Sequence, residues 1–126
     1  MIAGIGTDIV AVARRERAHE RHGERLARRV LAPEEWHSFH RWGATAAFLA
    51  RRFAAKEAAS KALGTGLSEG VTLRDLEVVH DQRGKPSLRF HGAAAERAAE
   101  LRVREAALSL SDEREYAVAF VVLVIG

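Results

Sequence analysis

The sequence predicts an α+β fold: a largely antiparallel sheet with a long central helix and further helices flanking it. Three observations carry this reading. Ile- and Val-rich strand-like runs occur at both ends of the chain and as close pairs around short polar turns. The longest stretch of helix formers, about 44–63, lies between them. The resulting order, β, helices, ββ, α, ββ, groups strands into hairpins instead of alternating them singly with helices. No linker, repeat or low-complexity tract interrupts the 126 residues, which read as a single domain over 1–126.

Taken in order, "MIAGIGTDIVAV" is the first strand, with glycines at 4 and 6. Residues 14–30 are helical in composition, with Gly23 as a break that splits them in two. "APEEW" starts a short helix through Trp36 and Phe39, with Pro33 in a first-turn position followed by acids. Gly43 ends that helix, and the long helix from about Ala44 stops at Leu63, where Gly64 suits a left-handed cap. "LEVVHD" and "PSLRFH" form a hairpin around "DQRGK", and "AAAERAAELRV" is a helix. "AALSLS" alternates like a half-buried strand, "DERE" turns the chain, and "YAVAFVVLV" is a nearly continuous apolar strand.

Composition narrows the function classes. Alanine fills 24 positions, so the core is made of small side chains, and assembly with further copies is a natural source of extra burial. There is no cysteine, which excludes disulfides and Cys-ligated zinc. The N-terminal stretch has no basic region and meets Asp8 too early for a signal peptide, and the closing apolar run is too short to span a membrane. The expected location is cytoplasmic, with no membrane partner.

Two carboxylates are misplaced. Leu49, Phe53, Glu57 and Lys61 follow one another four residues apart, so an apolar ridge of the long helix ends in an acid and an amine. An ordinary i,i+4 ion pair accounts for Glu57 and Lys61 on spacing alone. On the ridge, however, Glu57 is partly desolvated and needs a cation, hydrogen bonds or a metal. Asp8 poses the same problem inside an apolar strand. Two such acids, far apart in sequence, suit one hard cation such as Mg²⁺, which takes one or two carboxylates together with waters and substrate phosphates. Lys61 and free N–H groups of the "GTG" loop would then serve phosphate.

Other signals are weaker. "GIGTDI" has Ile9 where a dinucleotide-binding fingerprint needs a third glycine, and "GTGLSEG" is no Walker loop. His37 and His40 lack a third ligand and read as surface or packing residues. Arg14, Arg17, Arg21, Arg25 and Arg28 would form one stripe about 80° wide on an unbroken helix. The stretch 14–29 carries a net +4, with seven arginines and three glutamates, against +3 for the whole chain. Such a surface suits an acidic partner.

"GIGTDIVAVAR", "RFAAKEAASKALGTG", "LEVVHDQRGKP" and "LSLSDEREYAVAFVV", in this order and spacing, resemble the holo-[acyl-carrier-protein] synthases, phosphopantetheinyl transferases of fatty acid biosynthesis. The resemblance implies transfer of 4′-phosphopantetheine from coenzyme A to a serine of apo acyl carrier protein, releasing adenosine 3′,5′-bisphosphate. It implies Mg²⁺ held by Asp8 and Glu57, with Lys61 as a catalytic residue near the pyrophosphate. The serine proton would pass to Glu57 or to a metal-bound water. Arg52, Lys61, Gly64, Thr65, Gly84, Lys85 and Pro86 become candidates for holding coenzyme A. Arg14, Arg21 and Arg25 become candidates for docking the carrier. A homotrimer with active sites between subunits is also implied. One departure stands out: many members carry a histidine at the position of Ala107, and Asp112 stands where members have either His or Asp.

Two other readings use part of this pattern. A basic module gripping nucleic acid would explain residues 14–29 but leaves Asp8, Glu57 and Lys61 without a role, and one Tyr, two Trp and five Phe offer little for base stacking. An Mg²⁺-dependent phosphohydrolase would use the carboxylates but not the arginine stripe. No nucleic-acid partner is expected.

Overall fold

The computed structural model describes residues 1–126. Strand β1 (Ile2–Ala11) runs into helix α1 (Val12–His22), and α2 (Glu24–Val30) follows after Gly23. A 3₁₀ turn at Pro33–Glu35 leads into α3 (Trp36–Arg41), and the long helix α4 covers Ala46–Leu63. The hairpin β2 (Leu76–His80) and β3 (Pro86–Phe90), helix α5 (Gly92–Glu100), and the strands β4 (Val103–Asp112) and β5 (Tyr116–Ile125) complete the chain. All strand pairs are antiparallel, in the order β1-β5-β4-β3-β2.

Helix α1 starts at Val12, two residues before the expected start, and two further boundaries differ from the sequence reading for a clear local reason. The long helix begins at Ala46 rather than Ala44, because Thr45 caps it, its hydroxyl accepting from the Phe48 N–H at 3.2 Å. Helix α5 ends at Glu100 instead of running through Val103. Arg102 adopts a left-handed conformation that reverses the chain into β4. The cap at Gly64 is left-handed, as expected, with φ 79°.

Helix α4 lies on one face of the sheet, mainly over β1 and β5. More than half of the main core cluster is alanine, including Ala54, Ala55, Ala58, Ala59 and Ala62 of this helix. Small residues on both sides let the two backbones come close. A Cβ at Gly6 would stand 2.0 Å from the Ala58 carbonyl oxygen, and one at Gly4 2.1 Å from that of Ala62. The glycines of "GIG" therefore serve helix-to-strand approach. Along β1, Gly6 and Val10 are buried toward the helix and Asp8 is half-buried between them, while Ile5 and Ile9 point the other way and are 60% and 63% exposed. On that open face Ile9 pairs with Val118 and Thr7 with Phe120, so an apolar strip crosses β1 and β5 uncovered.

Candidate active site

The close approach at Gly4 and Gly6 brings Asp8 to the flank of α4 that carries Glu57 and Lys61. Lys61 Nζ donates to Asp8 Oδ1 and to the Thr7 carbonyl oxygen, each at 3.0 Å. The i,i+4 pairing of Glu57 with Lys61 is therefore not made; the amine reaches across to the strand instead. Glu57 is left half-buried with no ionic partner. Burial, and then the neighbouring charge of Asp8, push its carboxyl above the usual range, with Lys61 and Arg15 pulling the other way. A cavity of about 400 Å³ opens here, lined by Asp8, Val10, Arg14, Arg15, Phe53 and Glu57 among others.

Two carboxylates gathered in one cavity, one of them unpaired and resisting ionisation, fit a divalent cation that completes its shell with water and phosphate oxygens. Three metal-capable side chains meet at a different place, Glu34, Glu77 and His91, where His91 Nε2 already lies 2.9 Å from Glu77 Oε1.

Arg15 was not singled out from sequence, yet it lines the cavity. Its guanidinium carbon lies 4.2 Å from the centroid of the Phe53 ring, a cation–π contact. The signal was available: Arg15 stands three residues after the buried Val12, on the inner side of α1.

The arginine stripe is not continuous. Gly23, with φ 53° and ψ −128°, breaks the helix, so Arg14, Arg17 and Arg21 belong to α1 while Arg25 and Arg28 belong to α2. All five are exposed. Arg28 pairs with Glu24 at 3.5 Å, an ordinary surface i,i+4 contact.

The remaining candidates are distributed elsewhere. In the loop after α4, the Gly64 N–H donates to the Lys61 carbonyl and the Gly66 N–H to that of Ser60, at 3.0 and 3.1 Å. These two N–H groups close the helix and are not free for phosphate, contrary to expectation. Thr65 donates its hydroxyl to the Gly66 carbonyl oxygen. Arg52 is buried; its Nε lies 3.2 Å from Glu35 Oε2 and its guanidinium sits over Phe48. It also lines a second cavity of about 660 Å³, together with Arg41, Arg51, His80 and Gly84. Lys85 and Pro86 follow in the β2–β3 turn, where the Asp81 carboxylate accepts from the Arg83 and Lys85 N–H groups.

That turn is at the opposite edge of the sheet from β1, so one chain does not bring Gly84, Lys85 and Pro86 to Asp8. Ala107 alternates with the buried Ala106 and Leu108 and thus faces the open side of the sheet, away from α4. Asp112 is held by Arg51 at 3.6 Å.

Comparison with known proteins converges on one family. The profile of the 4′-phosphopantetheinyl transferase superfamily matches residues 4–121. A holo-[acyl-carrier-protein] synthase of Halorhodospira halophila is 82% identical over 126 residues, the full length of both chains. The crystal structure of holo-[acyl-carrier-protein] synthase from Neisseria meningitidis is 42% identical, with a TM-score of 0.91 over 98% of this chain and 99% of that one. A holo-(acyl-carrier-protein) synthase from Bacillus anthracis, solved in complex with CoA (3′,5′-ADP), is 37% identical, with a TM-score of 0.82 over 100% of this chain and 99% of that one. The chain belongs to the 4′-phosphopantetheinyl transferase superfamily.

Proposed function

We propose that the chain is a holo-[acyl-carrier-protein] synthase whose reaction centre is the cavity holding Asp8 and Glu57, with Lys61 beside it. It transfers the 4′-phosphopantetheine group of coenzyme A to a serine of apo acyl carrier protein. The serine oxygen forms a bond to the β-phosphorus, the bond from that phosphorus to the bridging oxygen breaks, and adenosine 3′,5′-bisphosphate leaves. The observation that carries the assignment is the meeting of two acids and an amine, 53 residues apart in the Lys61–Asp8 bond, in a chain of this superfamily.

Each residue has work suited to its surroundings. Asp8 and Glu57 would hold Mg²⁺, which when bound neutralises the charge gathering on the phosphate oxygens. Asp8 is engaged by Lys61, whereas Glu57 is unpaired and has its proton affinity raised by burial, which suits it to take the serine proton. Lys61, half-exposed on its stem, places an ammonium where the leaving phosphate develops charge. Arg14, at the rim of the cavity, and Arg21, further along α1, are exposed and suit the acidic surface of a carrier; Arg25, across the Gly23 break, is the weaker candidate.

The separation of Gly84, Lys85 and Pro86 from Asp8 supports a site shared between copies. The uncovered apolar strip of Ile5, Ile9, Val118 and Phe120 is the surface through which three chains would associate, setting the nucleotide-holding residues of one copy beside the carboxylates of another. Ala107, on that same open face, would then border the nucleotide of a neighbour. The polypeptide has no helix long and apolar enough to cross a membrane.

The assay is direct. Incubation with coenzyme A, Mg²⁺ and apo acyl carrier protein adds one phosphopantetheinyl group to the carrier, read by intact-protein mass. Hydrolysis of coenzyme A with the carrier unchanged would overturn the transferase reading in favour of a phosphohydrolase.

A further inference from the structure

We propose that Arg15 binds the pyrophosphate of coenzyme A and is thereby separated in function from the arginines beside it on α1. This rests on the transferase reading of the cavity and names a further substrate-binding residue within it.

The placement of Arg15 differs from that of its neighbours. Arg14, Arg17 and Arg21 are exposed, whereas Arg15 turns inward and is half-buried. Its flat guanidinium lies over the Phe53 ring, which covers one face and leaves the edge nitrogens to point elsewhere. It forms no ion pair, and its Nε is buried with no hydrogen-bond partner. A buried donor left unsatisfied is costly, and an anionic ligand entering the cavity would remove that cost. Burial, and then the neighbouring charge of Arg14, hold its guanidinium below its usual range, while Glu57 and Asp8 favour its charge without making a direct bond to it.

The surrounding field points the same way. The cavity includes Ala11, the residue before α1, which provides no side-chain cap, and the first turn of this 11-residue helix has no acid. The Val12 N–H donates to the Glu115 carbonyl oxygen, and the remaining first-turn N–H groups add partial positive charge at the cavity wall, where helices ordinarily place an acid. The cavity wall sets two cations, Arg14 and Arg15, against two carboxylates, Asp8 and Glu57, and Lys61, which bonds Asp8 from outside that lining, gives the group an excess of one positive charge before any metal enters. A divalent cation increases that excess. The doubly charged pyrophosphate offsets two of the resulting three charges, and the planar fork of a guanidinium matches its oxygens better than a single ammonium does.

The decisive variant is Arg15→Met, which keeps an apolar stem over Phe53 and removes the fork. Coenzyme A binding is measured by calorimetry without carrier, beside carrier KM in the full assay and Mg²⁺ affinity of the coenzyme A-free protein. A charge-assisted hydrogen bond contributes about 1.5–3 kcal/mol, so the coenzyme A dissociation constant should rise roughly 10- to 100-fold. Carrier KM should stay within about twofold, because exposed charges alone govern that encounter. Mg²⁺ should bind the coenzyme A-free variant more tightly, a repulsive cation having been removed. Arg15→Lys should recover only part of the coenzyme A affinity. An unchanged coenzyme A dissociation constant, or an increase confined to carrier KM, overturns the proposal. Wild-type protein that neither binds coenzyme A nor loads the carrier would instead remove the functional reading beneath it.

Discussion

Lys56 and Glu57 are adjacent on α4, about 100° apart around its axis, and meet opposite environments. Lys56 is fully buried and fully engaged: its Nζ donates to Glu35 Oε1 and, at 3.0 Å, to the Leu73 carbonyl oxygen. Glu35 in turn accepts from the Ala32 and Val78 N–H groups and faces Arg52. Three segments, the 3₁₀ turn, α4 and β2, are thus tied at one carboxylate, and Lys56 adds the segment before β2 through Leu73. Glu57 is only half-buried but has no such partner, and burial and Asp8 both resist its charge. Burial alone therefore does not mark a functional charge. A charge whose bonds are complete holds the fold, and one held near like charge without a partner is prepared for a ligand.

Breaking the satisfied side should give the largest effect. Glu35→Ala leaves Lys56 and Arg52 buried without their bonded counter-charge, and loss of one partner of such a cluster costs about 3–5 kcal/mol. Chemical denaturation should show the loss, with activity falling only as far as folded protein disappears. A stable, inactive Glu35→Ala protein would mean that the hub belongs to the active site after all.

On the other side the order reverses. Lys61→Ala should leave stability close to wild type and reduce turnover by about 10²-fold or more, as for other fixed electrostatic groups, with a smaller change in coenzyme A affinity. Wild-type turnover with weakened affinity would reassign Lys61 to substrate binding.

Glu57→Gln sharpens the contrast through pH. Because the folded-state pKa of Glu57 is raised, the folded protein binds the extra proton between the ordinary glutamate range and that higher value, so this group lowers stability as pH rises through the window. Without Mg²⁺, Glu57→Gln should therefore melt at a higher temperature than wild type at pH 7.5, and the two should converge toward pH 4. Added Mg²⁺ should raise the wild-type Tm and leave the variant nearly unchanged. A variant that melts lower at pH 7.5 would show Glu57 to be stabilising in its own right.

The smallest effects belong to the surface. Arg14→Glu and Arg21→Glu should each raise carrier KM by about 2- to 5-fold at low salt, the scale of exposed charge pairs, and the effect should fade as salt increases. Arg25→Glu, on the far side of the Gly23 break, should do less. Equal effects from all three would mean that the carrier spans both helices.

Much of this molecule was legible in the linear chain. The strand alternation, the capping glycine at 64, the break at Gly23 and the start at Pro33 are local matters, decided by residues a few positions apart. The two misplaced acids, Asp8 and Glu57, were visible as well, because a carboxylate in an apolar run conflicts with its own neighbourhood. Partner choice was not visible. Spacing offered Lys61 to Glu57, four residues away, but the amine bonds Asp8, 53 residues away, because Gly4 and Gly6 let strand and helix meet nearly backbone to backbone. Arg52, a coenzyme A candidate only by resemblance, is committed to Glu35, and Arg15, which lies outside the expected arginine stripe, turns into the cavity. Sequence by itself determined which charges were out of place. Only the tertiary structure decided which of them were answered, since a counter-charge acts through a few ångströms of space whatever the distance along the chain.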